Sequence, residues 1–328
     1  MNRIVILAVV LFVLVGIFNV ENISAGPLHD IDWVCRATKN YSYAKCAGYN
    51  SQSFWVSGGA DGANLTKTVF VSLPLGSTYS TALPFCAIRN YRTSQDDDLG
   101  WTCDWVQGTN DNNADGYYFT LKLHEGNRIT TQIEAKAAVV DGQYFSSWNW
   151  WGYWVENDQS ASGDHIYRTS QDKALVSSNS YSTAGADYFA YDVKMYGTTP
   201  SVWAYGGNSN SYVNGVYYVV KPAPALMEIC QYIVPISNGD YYTWDSRNAP
   251  IWDGPAPECA DYDYDYQSPL VLTTMISYYS DEKDFEARIT REAIIQKDGS
   301  VWLELDVRGR YGSENSRAYM LVSVLIMK

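Results

Sequence analysis

The sequence predicts an all-β protein built from tandem antiparallel β-sandwich modules that disulfides stabilise. Two observations support this fold class: several stretches alternate apolar and polar residues, and six cysteines follow an apolar leader. The clearest alternation runs over residues 300–308, where one side carries Val301, Leu303, Leu305 and Val307. A period of two is typical of a strand with one buried face.

The segments around this strand predict an antiparallel sheet. Residues 285–295 also alternate, although their Glu, Arg and Ala content makes a helix the alternative there. Asp298-Gly299 predicts a tight hairpin turn, because Asp-Gly accepts the positive φ that such turns require. The stretch 318–327 is almost wholly apolar and predicts a strand that is buried on both faces.

Residues 1–25 are predicted to be a secretory signal peptide. Asn2-Arg3 precedes the apolar run 4–18, and Ser24-Ala25-Gly26 supplies the small residues of a cleavage site. An uncleaved anchor is the alternative, but a bilayer span needs roughly 20 apolar residues. We therefore expect a secreted, extracellular protein with no membrane insertion after signal cleavage.

The six cysteines predict three disulfides, because an even count is typical of exported proteins. The sequence does not fix their pairing. Pairing of nearest neighbours would join Cys35 to Cys46, Cys86 to Cys103, and Cys230 to Cys259. The spacing of these residues lacks the Cys-x-x-Cys motif of zinc sites, which argues against a metal-thiolate centre.

Charge and aromatic content restrict the class of partner. The net charge is −13 and there is no basic stripe, which argues against nucleic acid and anionic lipid as partners. The chain contains 28 Tyr and 12 Trp but only 9 Phe. Tyr and Trp combine an apolar body with a polar group and suit contact surfaces, although short strands also use many aromatic residues.

Repeats and composition divide the mature chain into modules. We expect a disulfide-clipped, loop-rich cap over 26–64, a β module over 65–141 and a second over 142–221. The hexapeptide Tyr91-Arg-Thr-Ser-Gln-Asp96 recurs at 167–172, each time before an alternating strand and a closing apolar strand, so the second module is interpreted as a repeat. A linker and loop-rich segment covers 222–267, and a C-terminal module covers 268–328.

The densest aromatic patch, 147–154, is the first candidate ligand-binding site. Its candidate residues are Trp148, Trp150, Trp151 and Trp154. Aromatic faces stack on the apolar faces of sugar rings, and they also anchor protein partners. In an extended segment Trp151 would lie on the side opposite the other three. The alternative is that the whole patch is core or module interface.

The C-terminal module, 268–328, carries a family resemblance. Pro269-Leu-Val-Leu-Thr-Thr opens a strand, an acidic loop follows at 281–284, and Val322-Ser323-Val324 lies in the closing strand. This pattern resembles the H-type lectins, the snail-agglutinin family of small antiparallel β-sandwiches. If the upstream modules are repeats of the same fold, the resemblance extends to them. The resemblance implies sugar binding at a subunit edge and a trimeric assembly. Arg308-Gly309 stands where the family has an aromatic residue.

Charged residues in the loops of this module form a second candidate site. If the module is a sandwich, these loops bring together Asp281, Asp284, Arg308, Arg310 and Tyr311. Carboxylates and guanidinium groups bind sugar hydroxyls through paired hydrogen bonds. Surface charge without a binding role is the alternative.

One loop has the composition of a calcium site. Asp111, Asn113 and Asp115 precede Gly116 and copy the first half of a calcium-binding loop. Lys122 stands where an EF-hand requires a bidentate Glu. Calcium is thus the cofactor that this loop would hold, and the alternative is a hairpin turn rich in Asn, Asp and Gly.

The sequence predicts no catalytic residue. His29, His124 and His165 belong to no Ser-His-Asp or His-Glu-x-x-His arrangement. We expect a non-catalytic carbohydrate-binding or adhesive protein whose partners are glycans or extracellular matrix and surface components. Repetition along the chain, or a homo-oligomer, would strengthen weak contacts. A structural subunit of an extracellular coat or filament is the alternative, and a glycoside hydrolase is the third candidate.

Overall fold

The computed structural model describes residues 48–58, 65–92, 99–125, 131–156, 160–162, 173–182, 189–196, 199–206, 211–223, 226–247, 269–280, 285–297, 300–310 and 312–327. The predicted signal peptide and most of the predicted cap lie outside these residues. The described chain is all-β, as the sequence predicts, with eighteen strands and one short 3-10 helix.

The first unit consists of six strands in two antiparallel sheets. One sheet has the order β1-β6-β3, and the other has the order β2-β5-β4. The inward side chains of both sheets belong to one hydrophobic core, which makes the unit a β-sandwich. The strands are Tyr49–Gly58 (β1), Leu65–Ser72 (β2), Ala82–Arg92 (β3), Leu99–Thr109 (β4), Asp115–Glu125 (β5) and Thr131–Asp141 (β6).

The second unit follows the 3-10 helix Gly142–Tyr144, and its backbone repeats the same strand order. β7-β12-β9 corresponds to the first triplet of strands and β8-β11-β10 to the second. The strands are Phe145–Glu156 (β7), Ser160–Ser162 (β8), Lys173–Ser182 (β9), Phe189–Tyr196 (β10), Thr199–Gly206 (β11) and Ser211–Pro222 (β12).

The third unit has the same topology again, with the triplets β13-β18-β15 and β14-β17-β16. The predicted tandem arrangement of sandwich modules is therefore confirmed by strand order. The strands are Met227–Ser237 (β13), Tyr241–Asp245 (β14), Leu270–Ser280 (β15), Glu286–Lys297 (β16), Ser300–Arg310 (β17) and Arg317–Met327 (β18).

Short antiparallel strand pairs join the units. At each junction the third strand of one unit pairs with the fourth strand of another: β3 with β16, β15 with β10, and β9 with β4. Each six-stranded sheet therefore contains three strands from each of two units. Because every unit takes part in two such junctions, the three units close into a ring.

β6, the sixth strand of the first unit, lies in the middle of its triplet, and its C-terminal half is buried on both faces. In β6, Ile133 and Ala135 belong to the inner core, whereas Ala138 and Val140 belong to a second hydrophobic cluster. This second cluster also contains third-unit side chains, including Leu325. The outer face of the first unit's β1-β6-β3 triplet thus packs against the third unit.

Two predictions for the C-terminal module are confirmed by the third unit. β18 is buried on both faces over residues 320–327, because it lies between β13 and β15 and both sides of the sheet are covered. Residues 286–297 form the strand β16 and not a helix. Phe285, Ala287 and Ile289 are fully buried, as the alternation predicts.

One predicted disulfide lies within the described residues. Cys86 on β3 is bonded to Cys103 on β4, with a Cα–Cα distance of 6.2 Å, so the bridge joins the two sheets of the first unit. Nearest-neighbour pairing is confirmed for this bridge. Cys230 on β13 is also disulfide-bonded. Cys35, Cys46 and Cys259 lie outside the described residues.

A half-buried group of four charges spans the junction between the first and third units. Lys136 Nζ on β6 lies 3.1 Å from Glu292 Oε1 on β16, and Arg89 Nη1 lies 3.5 Å from Glu292 Oε2. Arg89 Nε also lies 3.4 Å from Glu134 Oε1. Arg89 occupies a register shift in the β3–β6 pair, and such bulges redirect a side chain. Two cations and two carboxylates balance one another here.

The structural repeat does not coincide with the hexapeptide repeat. Tyr91 and Arg92 end β3, the third strand of the first unit. Residues 167–172 lie outside the described residues, between β8 and β9, the second and third strands of the second unit. The two copies therefore occupy different positions in the strand order. The closing strands do correspond, because β6, β12 and β18 are all sixth strands.

Strands also occupy two ranges that the sequence analysis treated as cap and linker. Tyr49–Gly58 lies in the predicted cap and forms β1, with Phe54 and Val56 directed into the core. β13 and β14 lie in the predicted linker segment and complete the third unit. Pro235 lies on β13, an edge strand, where its missing N–H need not interrupt the ladder.

Candidate functional site

The outer face of the third unit is the candidate functional site. It consists of the outward side chains of the triplet β14-β17-β16, which alternate with core residues such as Leu305 and Val307. Strand register places ten polar or aromatic residues on this face: Tyr241, Thr243, Asp245, Glu286, Arg288, Arg291, Glu304, Asp306, Arg308 and Arg310.

One row of this face joins an exposed tyrosine to two arginines. Tyr241 lies directly opposite Arg308, and Arg308 lies directly opposite Arg288. Tyr241 is 79% exposed. Its ring is therefore free to contact a ligand beside two guanidinium groups.

Every carboxylate on this face has a basic partner. Glu286 Oε1 lies 3.1 Å from Arg288 Nη1, and Glu286 is 1% exposed. Arg291 Nη1 lies 2.8 Å from Glu304 Oε1 and 3.6 Å from Asp306 Oδ2. Thr243 Oγ1 donates a hydrogen bond of 3.0 Å to Asp306 Oδ1. The acidic side chains are thus held in fixed positions.

Two of the arginines are not paired in this way. Among the residues that the structure describes, no carboxylate lies within ion-pair distance of Arg308 or Arg310. Arg308 Nε is buried and has no hydrogen-bond acceptor. The face therefore contains donor groups that the described protein does not satisfy.

The turn between β13 and β14 fixes this end of β17. Gly239 at its tip has φ 84°, a conformation that favours glycine. Gly309 N donates a 2.9 Å hydrogen bond to Asp240 O, and Gly239 N donates one of 3.1 Å to Gly309 O. A Cβ at Gly309 would lie 2.0 Å from Ser237 O, so no larger residue fits there. Arg308 and Arg310 flank this contact.

The opposite end of the face is closed by a stacked arginine. Arg247 lies with Cζ 3.9 Å from the centroid of the Trp302 ring, and its Nη2 lies 3.0 Å from Asp245 Oδ2. The hydrogen bonds that Arg247 donates to the Asp245 carboxylate raise the pKa of Arg247. This cover explains why Trp302 is 7% exposed, although alternation placed it on the outward side.

The predicted tryptophan site lies on an edge strand of the second unit. Trp148, Trp150, Trp151 and Trp154 belong to β7, which pairs with β12 at the end of its sheet. Their backbone is extended, as in any β-strand. Their side chains lie outside the described part of the structure, and their role remains a prediction.

The predicted charged site is only partly within the described residues. Arg308 and Arg310 lie on the outer face of the third unit, whereas Asp281, Asp284 and Tyr311 lie outside the described residues. The sequence did not predict Tyr241, Arg288 and Arg291 as neighbours of Arg308. Tyr241 lies in a range that was predicted to be loop-rich. The alternation over 285–295 predicted a strand but no binding residue.

The candidate calcium residues form a hairpin turn between β4 and β5. Asn113 has φ 58°, and its N–H donates a 2.9 Å hydrogen bond to Asn110 O. This geometry is typical of a hairpin with a three-residue loop. Asn110 Oδ1 accepts the N–H groups of Asn112 and Ala114. Asp115 Oδ1 accepts a 3.0 Å hydrogen bond from Thr109 Oγ1. The turn accounts for these residue types, and calcium binding by Asp111, Asn113 and Asp115 remains a prediction.

Within the described ranges, no group of three His, Cys, Asp or Glu side chains is arranged to hold a metal ion. No helix in those ranges has the length and apolar character needed to cross a membrane.

No family model matches the chain, and no curated protein matches it. The class that the structure defines is an all-β protein of tandem antiparallel sandwich units.

Proposed function

We propose that this chain is a secreted, non-catalytic carbohydrate-binding or adhesive protein. The observation that carries the proposal is Tyr241, 79% exposed on a sheet face beside fixed carboxylates and guanidinium groups. An aromatic ring offers a flat surface to the apolar face of a sugar. The flanking charged groups offer donors and acceptors to its hydroxyls.

The arrangement of the units supports this proposal. The sequence of the C-terminal module resembles the H-type lectins, and that resemblance implies a trimer with sugar bound at subunit edges. Here one chain contains three sandwich units joined edge to edge, so three units are present without self-association. When several binding units are linked in one chain, their combined affinity for a surface that displays many copies of a ligand exceeds the affinity of one unit.

A glycan array on the mature protein tests the proposed function. We expect selective, concentration-dependent binding to a subset of glycans, and the Tyr241→Ser variant should lower it by about tenfold or more. Val106→Ser is the matched control, because Val106 is 62% exposed on the corresponding triplet of the first unit. Silence across the array from a folded protein would refute carbohydrate binding.

A structural subunit of an extracellular coat or filament is the second candidate, and one observation favours it. β1 is an edge strand, and its Trp55 is 59% exposed. Unpaired strand edges with exposed apolar residues are sites where chains associate. Analytical ultracentrifugation distinguishes the candidates: concentration-dependent polymers that Trp55→Ser abolishes would support the subunit, and a monomer at high concentration would refute it.

A further inference from the structure

We propose that the outer face of the third unit recognises acidic glycans, with the Arg308 guanidinium as the anchor for a carboxylate or sulfate group. The inference rests on the proposed function and names the ligand class of that same face. Tyr241 supplies the surface for the sugar ring, and Arg310 adds a second cationic group at the end of β17.

Charge pairing distinguishes this anchor from the rest of the face. The described carboxylates Glu286, Glu304 and Asp306 are each within 3.6 Å of a guanidinium nitrogen. Arg308 and Arg310 lack such a partner among the described residues. Arg308 and Arg310 lie close together at the C-terminal end of β17. The positive charge that an acidic ligand would neutralise is therefore concentrated at that end of the strand.

The environment of Arg308 adds a second, independent observation. Arg308 Nε is buried and lacks an acceptor, and a buried donor without a partner is unfavourable. Arg308 also lies opposite Arg288, and like charges directly opposite across a sheet repel. An anionic group bound at the exposed part of the Arg308 guanidinium would offset the repulsion between the two arginines.

The first unit shows that these charges are not required by the fold. On its corresponding triplet, Phe70 and Tyr118 are in ring contact at 4.9 Å, and Thr68 Oγ1 lies 3.1 Å from Thr120 Oγ1. The same strand positions therefore carry mainly neutral side chains there. An uncompensated pair of arginines is specific to the third unit's face among the described side chains.

The chemistry of the groups selects the ligand. A guanidinium presents parallel N–H donors that match the two oxygens of a carboxylate or sulfate, which is a stronger interaction than either makes with a neutral hydroxyl. The net charge of −13 repels long polyanions from most of the surface. A glycan with one or a few acidic groups next to a neutral sugar ring fits better than a dense polyanion.

Matched glycan pairs test the inference by titration calorimetry on the folded, disulfide-bonded protein. One arm compares sialyllactose with lactose, and the other compares sulfated with unsulfated N-acetyllactosamine, so the two arms separate carboxylate from sulfate. We expect the acidic member of at least one pair to bind about tenfold tighter or more. Arg308→Gln should reduce that preference to the neutral level.

Controls separate the anchor from net charge and from folding. Arg247→Gln removes the same charge at the opposite end of the face, where the arginine is already paired, and should leave the preference intact. Arg308→Lys keeps the charge without the paired donors and should retain part of it. Equal binding of acidic and neutral glycans, or full preference in folded Arg308→Gln, would overturn the inference while glycan binding stands. No binding to any glycan would overturn both proposals.

Discussion

Arg308 on β17 lies directly opposite Arg288 on β16, and only Arg288 is joined to a described carboxylate. The partner of Arg288 is Glu286, which is almost fully buried. The two arginines therefore differ in role although they are neighbours on one sheet face: Arg288 neutralises a buried charge, and Arg308 has an unsatisfied donor.

Substitution of Arg308 should not destabilise the free protein. Arg308→Met keeps much of the aliphatic stem and removes both the like-charge contact and the unsatisfied N–H, so we expect a free energy of unfolding unchanged or higher by about 0.2–1 kcal/mol. Urea denaturation measures it. The matched variant Arg288→Met leaves Glu286 without this partner and should cost about 3 kcal/mol. Equal losses in both variants would show that Arg308 is paired in solution.

The four charges at the junction of the first and third units should matter more than exposed pairs. Glu292→Gln removes a carboxylate that pairs with both Arg89 and Lys136, and among the described ion pairs only the one between Arg89 and Glu134 is left at this site. We therefore expect a loss of about 2 kcal/mol in unfolding free energy. Glu304→Gln, which breaks the pair with the more exposed Arg291, should cost less than about 1 kcal/mol. A reversed order would refute the assigned role of the junction.

The bridge between the sheets of the first unit should be a main source of its stability. Cys86 and Cys103 are separated by 17 positions in the sequence. The chain-entropy model gives a stabilisation of about 3 kcal/mol for a disulfide that closes a loop of this length. The double variant Cys86→Ala/Cys103→Ala should show this loss in urea denaturation. A change below about 1 kcal/mol would indicate that sheet packing alone holds the unit.

Alkaline pH should destabilise the protein through two tyrosines, the buried Tyr49 and the half-buried Tyr242. Burial, with a smaller effect from Glu292, raises the pKa of Tyr49 to about 12, and burial with Asp240 raises the pKa of Tyr242 to about 12. The unfolded chain loses these protons near pH 10, so stability is intact below that pH and falls between about pH 10 and 12.

The steepness with which stability decreases between about pH 10 and 12 tests whether these tyrosines cause the decrease. Tyr49 contributes at most about 1.4 kcal/mol per pH unit, because the folded state binds one more proton than the unfolded state in this window. The more exposed Tyr242 contributes less, since water screens its surroundings. Tyr49→Phe should make the pH dependence shallower. Tyr241→Phe is the control, because it removes a hydroxyl from an exposed side chain. Normal ionisation of every tyrosine in an absorbance titration would contradict the assignment.

Local alternation and apolar runs in the sequence predicted the strands that make up much of the fold. Leu303, Leu305 and Val307 reached the core as their period of two required, and β18 is buried on both faces as its apolar run required. β4 was missed, because Trp101 and Cys103 stand between two polar loops. Junctions such as β3 with β16 join residues about 200 positions apart, and no local pattern encodes such pairs.

The candidate site was predictable only in part for a similar reason. Arg308 and Arg310 were predicted as site residues from the charged segments of the C-terminal module. Arg288 becomes their neighbour only through the register of β16 with β17. Tyr241 reaches the same face through the pairing of β14 with β17. The short strand β14 lies in a Gly- and Pro-rich range, whose composition favours a loop.

The Nε–Hε resonance of Arg308 provides the most direct test of acidic-glycan recognition by this face. In deuterated, isotopically labelled protein the resonance is assigned by its disappearance in Arg308→Lys, and it is then followed during titration with sialyllactose and with the sulfated N-acetyllactosamine. The account predicts a downfield shift and slower exchange with solvent for the acidic ligand that binds, and little change with lactose. An Arg308 resonance unaffected at saturation would contradict it.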